Sequence, residues 1–174
     1  MLRLGEKVPD FKAQAYQRGD FRDISLSQLH GKWTVLFFYP LDFTFVCPTE
    51  LKAFAADYDK FKEANAELVA ASVDSVFSHK AWFENELQEV SFPVIGDITK
   101  QVARSYGVLD EEKGVALRGT FIIDPEGVLQ YMVISGLGLG RSTDETLRVL
   151  KALQTGEMCP ANWKPGQKTL GKAS

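Results

Sequence analysis

Two cysteines, Cys47 and Cys159, carry the reactive chemistry legible in this 174-residue sequence. Cys47 lies in Tyr39-Pro40-Leu41-Asp42-Phe43-Thr44-Phe45-Val46-Cys47-Pro48-Thr49-Glu50, between an apolar run and an amphipathic one. Proline is favoured at the first helical position, so Pro48 puts Cys47 near the N-cap of the helix that follows. Unpaired N–H groups and partial positive charge gather at a helix start and stabilise a thiolate there. The thiolate is the nucleophilic form of cysteine. A buried cysteine acting as a small hydrophobe is the plainer alternative, and the local context argues against it. Thr44, three residues earlier, offers a hydroxyl that can both donate and accept. Arg118, in Ala116-Leu117-Arg118-Gly119-Thr120-Phe121-Ile122-Ile123-Asp124, places a guanidinium in a segment otherwise built for burial. It either faces a polar site, where its fork could bind oxygen atoms and support a thiolate, or points to water from an edge strand.

The two thiols are 112 positions apart. In a reducing compartment a permanent disulfide is disfavoured, and the disulfides that do form are transient and catalytic. Either both thiols are inert or they form a redox pair. Combined with His30 and His79 they show none of the close ligand pairing of zinc motifs, so no metal is expected. Twenty basic and 23 acidic residues, scattered along the chain, leave a net charge of −3. That gives no electrostatic case for nucleic acid or an anionic membrane. The start of the chain lacks the apolar core of a signal peptide, and no apolar run reaches the roughly 20 residues that span a bilayer. The expectation is a soluble cytoplasmic protein. Its composition, 45% hydrophobic and 25% charged, and its length suit one globular domain.

The elements that must hold these residues read as follows. A leader over residues 1–30 is irregular or hairpin-forming, with a Gly19-Asp20 turn. The continuous apolar run Trp33–Tyr39 marks a strand buried on both faces, as at the centre of a parallel sheet. Leu51, Phe54, Ala55, Tyr58 and Phe61 recur at helical spacing. Leu68–Val73 is a second buried strand. Ser78 caps a helix carrying Ala81, Trp82, Phe83 and Leu87. Phe92–Ile95 is a short strand whose proline suits an edge or a strand start. Asp97 or Thr99 caps a helix over Val102, Ala103 and Tyr106 that Gly107 stops. After a charged turn at 110–114, Leu117–Ile123 and Val128–Ile134 flank Asp124-Pro125-Glu126-Gly127 as a hairpin. Ser142-Thr143-Asp144-Glu145 is a capping box opening a helix that Gly156 ends. The order predicts an α/β sandwich with a mixed sheet. It is thioredoxin-like in arrangement, with an N-terminal extension and a central insertion. We expect one domain over 1–156 and a tail over 157–174 carrying Cys159.

With the elements in place the sequence resembles a known family. Phe38–Glu50 is similar to the active-site motif of peroxiredoxins, Pro-x-x-x-Thr-x-x-Cys. Gly156-Glu157-Met158-Cys159-Pro160-Ala161-Asn162-Trp163-Lys164-Pro165-Gly166 is similar to the resolving segment of the typical two-cysteine group, which includes the C component of alkyl hydroperoxide reductase. The resemblance covers nearly the whole chain. It implies that Cys47 attacks peroxide, that Cys159 resolves the product, and that Pro40, Thr44 and Arg118 complete the site, with Pro40 shielding the thiolate from water. It also implies that Glu50 and Arg141 position the central arginine. From the residues alone Glu50 is a favourable charge in a first helical turn and Arg141 a solvated loop residue.

Thiolate attack on the terminal peroxide oxygen would leave a sulfenic acid, Cys159 would condense with it, and an external dithiol would reduce the disulfide by exchange. The resemblance implies a disulfide between two chains of an antiparallel homodimer and a ring of five dimers. It implies no cofactor, and a reductant that is thioredoxin or a flavoprotein disulfide reductase. For Cys47 to reach Cys159 it must leave its helix start, so that start has to be locally breakable. Oxidation-sensitive relatives carry a Gly-Gly-Leu-Gly insertion and a C-terminal helix with Tyr-Phe. Neither occurs here, and resistance to overoxidation is expected.

Three competing readings remain at this level. Gly136-Leu137-Gly138-Leu139-Gly140 lacks the Gly-x-Gly-x-x-Gly spacing of a dinucleotide loop and follows a hairpin, so it reads as a flexible loop. Trp82, Phe83 and Trp163 read as core or interface aromatics, with Trp82 a weak site candidate. The alternative to a peroxidase is a redox-regulated holdase chaperone or a peroxide sensor, both of which would also use Cys47.

Overall fold

Apolar runs without alternation became the interior strands. The computed structural model describes residues 2–173. Its strands are β1 (Lys12–Gln17), β2 (Asp20–Ser25), β3 (Trp33–Phe38), β4 (Ala66–Ser72), β5 (Val94–Gly96), β6 (Leu109–Asp110), β7 (Val115–Ala116), β8 (Arg118–Ile123) and β9 (Leu129–Ser135). Its helices are α1 (Cys47–Glu63), α2 (Val76–Glu86), α3 (Gln101–Ser105) and α4 (Thr143–Gln154). Seven strands form one mixed sheet in the order β2-β1-β5-β4-β3-β8-β9, and β6 pairs with β7 alone. This is the α/β arrangement with a central mixed sheet that the element order predicted. β3 is interior, parallel to β4 on one side but antiparallel to β8 on the other, Leu36 facing Val69 and Phe121.

Alternation along β3 assigns its faces. Phe37 stacks on Phe54 of α1, ring centroids 4.1 Å apart. Leu36 and Phe38 point the other way, into a cluster with Val69, Ala71, Val102, Ala103, Tyr106 and Phe121. Leu36 and Phe38 each contribute about 1.5–3 kcal/mol by leaving water. α1 and α3 therefore cover opposite faces of the sheet, and the site-bearing loop after β3 is anchored in both layers.

Local chemistry moved several boundaries. The leader hairpin is not an appendage: β1 pairs with β5 through Ala15–Ile95 and Tyr16–Val94, so it extends the main sheet. That places β5 in the interior, and Pro93 precedes a strand start rather than marking an edge. Ser75, not Ser78, caps α2, its hydroxyl accepting from the Ser78 N–H at 3.0 Å. Ser78 is already helical and spends its hydroxyl on Asp42. Asp97 closes the start of α3 from a distance, accepting from Val102 N–H and Ala103 N–H. The charged turn at 110–114 is the tip of the β6–β7 hairpin.

Two compact units are resolved, one ending at Arg141 and the other beginning at Ser142. The division expected after Gly156 falls inside the second. There, Ser142 Oγ accepts from Glu145 N–H at 3.2 Å, completing the expected N-cap. The tail folds back on itself, with Met158 N–H on Gly171 O at 2.9 Å and Leu170 N–H on Met158 O at 2.8 Å. Among the described residues no helix is long and apolar enough to cross a membrane, and no group of three or more His, Cys, Asp or Glu is arranged to hold a metal ion.

Candidate active site

Cys47 is the first residue of α1 and is fully buried. The N-cap is Val46, which supplies no side-chain acceptor, and Pro48 lies within the first turn, one position later than the sequence suggested. The turn is closed instead through Val46 O, which accepts from Thr49 N–H at 3.1 Å, Glu50 N–H at 3.3 Å and Thr49 Oγ1 at 2.6 Å.

Behind the loop a buried polar network fixes its path. The Asp42 carboxylate accepts from Tyr39 OH at 2.7 Å and Ser78 Oγ at 2.8 Å, and lies 2.7 Å from His79 Nδ1. The Asp42 N–H donates to Asp74 Oδ2 at 2.6 Å. His79 Nε2 sits 3.0 Å from Ile95 O; a carbonyl can only accept, so Nε2 carries a proton. Burial, then the charge and hydrogen bond of Asp42, hold the Tyr39 phenol well above its usual range, so it stays a neutral donor. Burial also raises Asp74, against the lowering effect of the Asp42 N–H. Trp82 packs on Tyr39 and Phe43, at 6.3 and 5.5 Å between centroids. Phe43 takes a left-handed backbone, φ +56°, a conformation that costs a bulky residue free energy and recurs at functional loops.

On the other side of the thiol lies a buried ion cluster. Arg118 is 3% exposed and opens the interior strand β8, which settles its orientation toward a polar site. Its Nη1 donates to Glu50 Oε2 at 2.7 Å and lies 3.4 Å from Cys47 Sγ, while Nε donates to Leu137 O at 2.9 Å. Arg141 grips the same carboxylate. Nε and the backbone N–H donate to Oε1 at 2.8 and 2.9 Å, and Nη2 donates to Oε2 at 2.8 Å. Its Nη1 reaches Gly119 O, and the guanidinium lies over the Phe37 ring. Burial acts to raise the Glu50 carboxyl, but the hydrogen bonds and charge of Arg141, with the charge of Arg118, bring it below the ordinary glutamate value. Two guanidinium groups against one carboxylate leave one positive charge unmatched beside Sγ.

A pocket of about 380 Å³ opens over the thiol, lined among others by Pro40, Thr44, Phe45, Cys47, Arg118 and Leu137. Thr44 Oγ1 donates to Leu41 O at 3.1 Å, which leaves its oxygen lone pairs available. The structure thus brings Cys47, Pro40, Thr44, Arg118, Glu50 and Arg141 into one neighbourhood. Arg141 is not the solvated residue its loop position suggested, being 7% exposed at the side chain. Nor is 136–140 merely a flexible loop, since Leu137 O orients Arg118 and Gly140 comes close to Val46. Sequence reasoning missed the Asp42–His79 network; the signal was three polar residues, Asp42, Ser78 and His79, set among residues destined for burial. In the second unit Cys159 is half-buried. Thr155 Oγ1 lies 3.7 Å from its sulfur, with Ala152 O and Glu157 O each at 3.8 Å.

Comparison with known proteins returns one consistent group. Residues 4–132 match the family profile described as "AhpC/TSA family", and residues 152–174 match "C-terminal domain of 1-Cys peroxiredoxin". The chain is 50% identical over 177 residues to the 2-Cys peroxiredoxin BAS1, chloroplastic, of Hordeum vulgare, covering 96% of this chain and 84% of that one. It is 51% identical over 176 residues to peroxiredoxin prdx-2 of Caenorhabditis elegans, covering 96% and 88%. Among solved structures it resembles the reduced 2-Cys peroxiredoxin of Plasmodium vivax, with TM-score 0.90 and 40% identity over 95% of this chain and 91% of the other.

Proposed function

The chain belongs to the AhpC/TSA family of peroxiredoxins and is a thiol-dependent peroxidase, and from that premise we propose that Cys47 is the thiol that attacks peroxide. The observation that carries this reading is Arg118 Nη1, shared between Cys47 Sγ and the clamped Glu50 carboxylate. A thiolate at Cys47 balances the unmatched positive charge of the cluster. Its attack on the terminal peroxide oxygen forms an S–O bond and breaks the O–O bond, giving Cys47 sulfenic acid and water or an alcohol. Arg118 and Thr44 align the peroxide and meet the negative charge that develops on the departing oxygen. Pro40 covers the thiolate against water. Glu50 and Arg141 act one step removed, by holding Arg118.

Cys159, carried by the tail 157–174, condenses with the sulfenic acid, releasing water and forming a disulfide with Cys47 of a second chain. The sheet supports a homodimer: β9 is its terminal strand, and Met132, Val133 and Ile134 are exposed on both of its faces. Such an apolar edge pairs readily with a copy of itself. We extend this to a ring of five dimers, a disulfide reduced by thioredoxin or a flavoprotein disulfide reductase, and a cytoplasmic location. Light scattering of reduced and oxidised protein, reductase assays with each donor, and cell fractionation test these in turn.

Rapid mixing tests the central reading. Wild type is expected to reduce hydrogen peroxide catalytically with a dithiol donor. Equal peroxide consumption by Cys47→Ser would overturn it.

A further inference from the structure

The pocket over Cys47 is larger and more apolar than the smallest peroxide needs. Its volume of about 380 Å³ is many times the roughly 10–15 Å³ that a cavity needs to hold one water, and hydrogen peroxide adds a single oxygen to water. Pockets of this size, walled by apolar groups with a few placed polar ones, are those of organic ligands. Leu41, Phe45, Val46, Val115 and Leu137 form a wall suited to an alkyl chain.

Two cations share that lining, in different states of engagement. The Arg118 guanidinium is occupied by Cys47 Sγ, Glu50 and Leu137 O. Lys113, at the tip of the β6–β7 hairpin, pairs with Asp110 at 3.4 Å, and its side chain is 62% exposed. Asp110, Glu111 and Glu112 share the hairpin, yet Lys113 alone of its charged residues lines the pocket. Glu111 turns instead to Arg104, accepting at 2.7 and 3.0 Å. The lysine is held in place by its backbone. Asp110 Oδ1 accepts from Lys113 N–H at 3.0 Å and Asp110 O from Gly114 N–H at 2.7 Å. Gly114 turns the chain at φ +68°, where a Cβ would also come within 2.6 Å of Lys100 Nζ.

We propose that Lys113 is a specificity-determining residue that favours organic hydroperoxides bearing a carboxylate at the far end of an apolar chain. The proposal rests on Cys47 being the attacking thiol. In the reaction the thiolate forms an S–O bond to the terminal oxygen, which keeps its hydrogen, and the O–O bond breaks. The sulfur is oxidised by two electrons, and the departing alkoxide takes a proton from water to become the alcohol. Lys113 changes no bond. It holds the remote carboxylate equally before and during the reaction, so it raises kcat/KM by lowering KM. Exposed ion pairs of this type are worth a factor of up to about five.

The test compares an ω-hydroperoxy fatty acid of medium chain length with its methyl ester, using single-turnover oxidation of Cys47 in the full-length protein. Wild type should oxidise faster with the acid by about three- to fivefold, an advantage that shrinks at high ionic strength. Lys113→Met should bring the acid-to-ester ratio to about one, Lys113→Arg should keep it, and Lys113→Glu should invert it. The rate of each variant with hydrogen peroxide is measured alongside and divided out, so that only the acid-to-ester ratio is read. A wild-type ratio of one, or a ratio unchanged in Lys113→Met, overturns the proposal. Failure of wild type to react with hydrogen peroxide would instead sink the assignment of Cys47 itself.

Discussion

Around Cys47 the chain gathers charge, and around Cys159 it offers neutral acceptors. The first thiol is fully buried, sits on a helix start and lies 3.4 Å from a guanidinium that two further groups hold in place. The second is half-buried in a segment folded by its own backbone bonds, with a hydroxyl and two carbonyls nearest to its sulfur. A guanidinium beside a sulfur can hold the oxygen atoms of a bound substrate, whereas a hydroxyl and carbonyls offer no such fork. One environment suits a nucleophile toward peroxide. The other suits a thiol that waits until a reactive sulfur is presented to it.

Four experiments break or sharpen that contrast. The largest effect is expected from exchanging the thiols one at a time. Cys47→Ser should lose peroxide reduction altogether, while Cys159→Ser should keep the first oxidation within about twofold and stop at a sulfenic acid, detected by mass spectrometry after trapping. Next, Arg118→Met should slow the first step by about a hundred- to a thousandfold, the usual cost of removing one preorganised donor, read by stopped-flow fluorescence.

Glu50→Gln should then destabilise the fold by about 3 kcal/mol, because it leaves two buried guanidinium groups without their carboxylate. Urea unfolding measures this. The sign of its pH dependence follows from the lowered Glu50 carboxyl. The contribution is fully present above about pH 4.5, the ordinary value, and fades as pH falls below it and the carboxylate takes a proton. The gap between wild type and Glu50→Gln should therefore close in acid; a gap that widens would contradict the clamp. Smallest is Ser142→Ala in the second unit, which should cost about 1 kcal/mol through loss of the α4 cap and leave the rate of the first oxidation unchanged.

Legibility in the sequence followed the range of the interaction. Trp33–Phe38 and Ala66–Ser72 could be read because interior strands are apolar on both faces. The α4 start could be read because a capping box is complete within four residues. The sequence points to Ser78 rather than the true cap Ser75 because two serines three apart each offer a hydroxyl, and only the backbone angles decide which lies outside the helix. The β6–β7 ladder pairs just two residues on each side, too few to show a period. The leader joined the sheet through pairs some 80 positions apart, such as Ala15 with Ile95, and no local pattern reports such a contact. Arg141 was the hardest of the site residues. Its partner, Glu50, is 91 positions away, and the intervening glycine loop has no periodicity from which to predict where it closes.

The first turn of α1 holds both Cys47 and Glu50, three residues apart and so on the same face. Exposing the buried thiol requires peeling this turn from its open end. Three hydrogen bonds to Val46 O resist that. Pro48, having no N–H, adds none, and no side chain caps the end. Peeling past Thr49 meets Glu50, where each further step would strip two arginines of their carboxylate. The helix is thus a zip with a stop sewn in at its fourth tooth: the bonds that resist fraying are few before Glu50 and many at it.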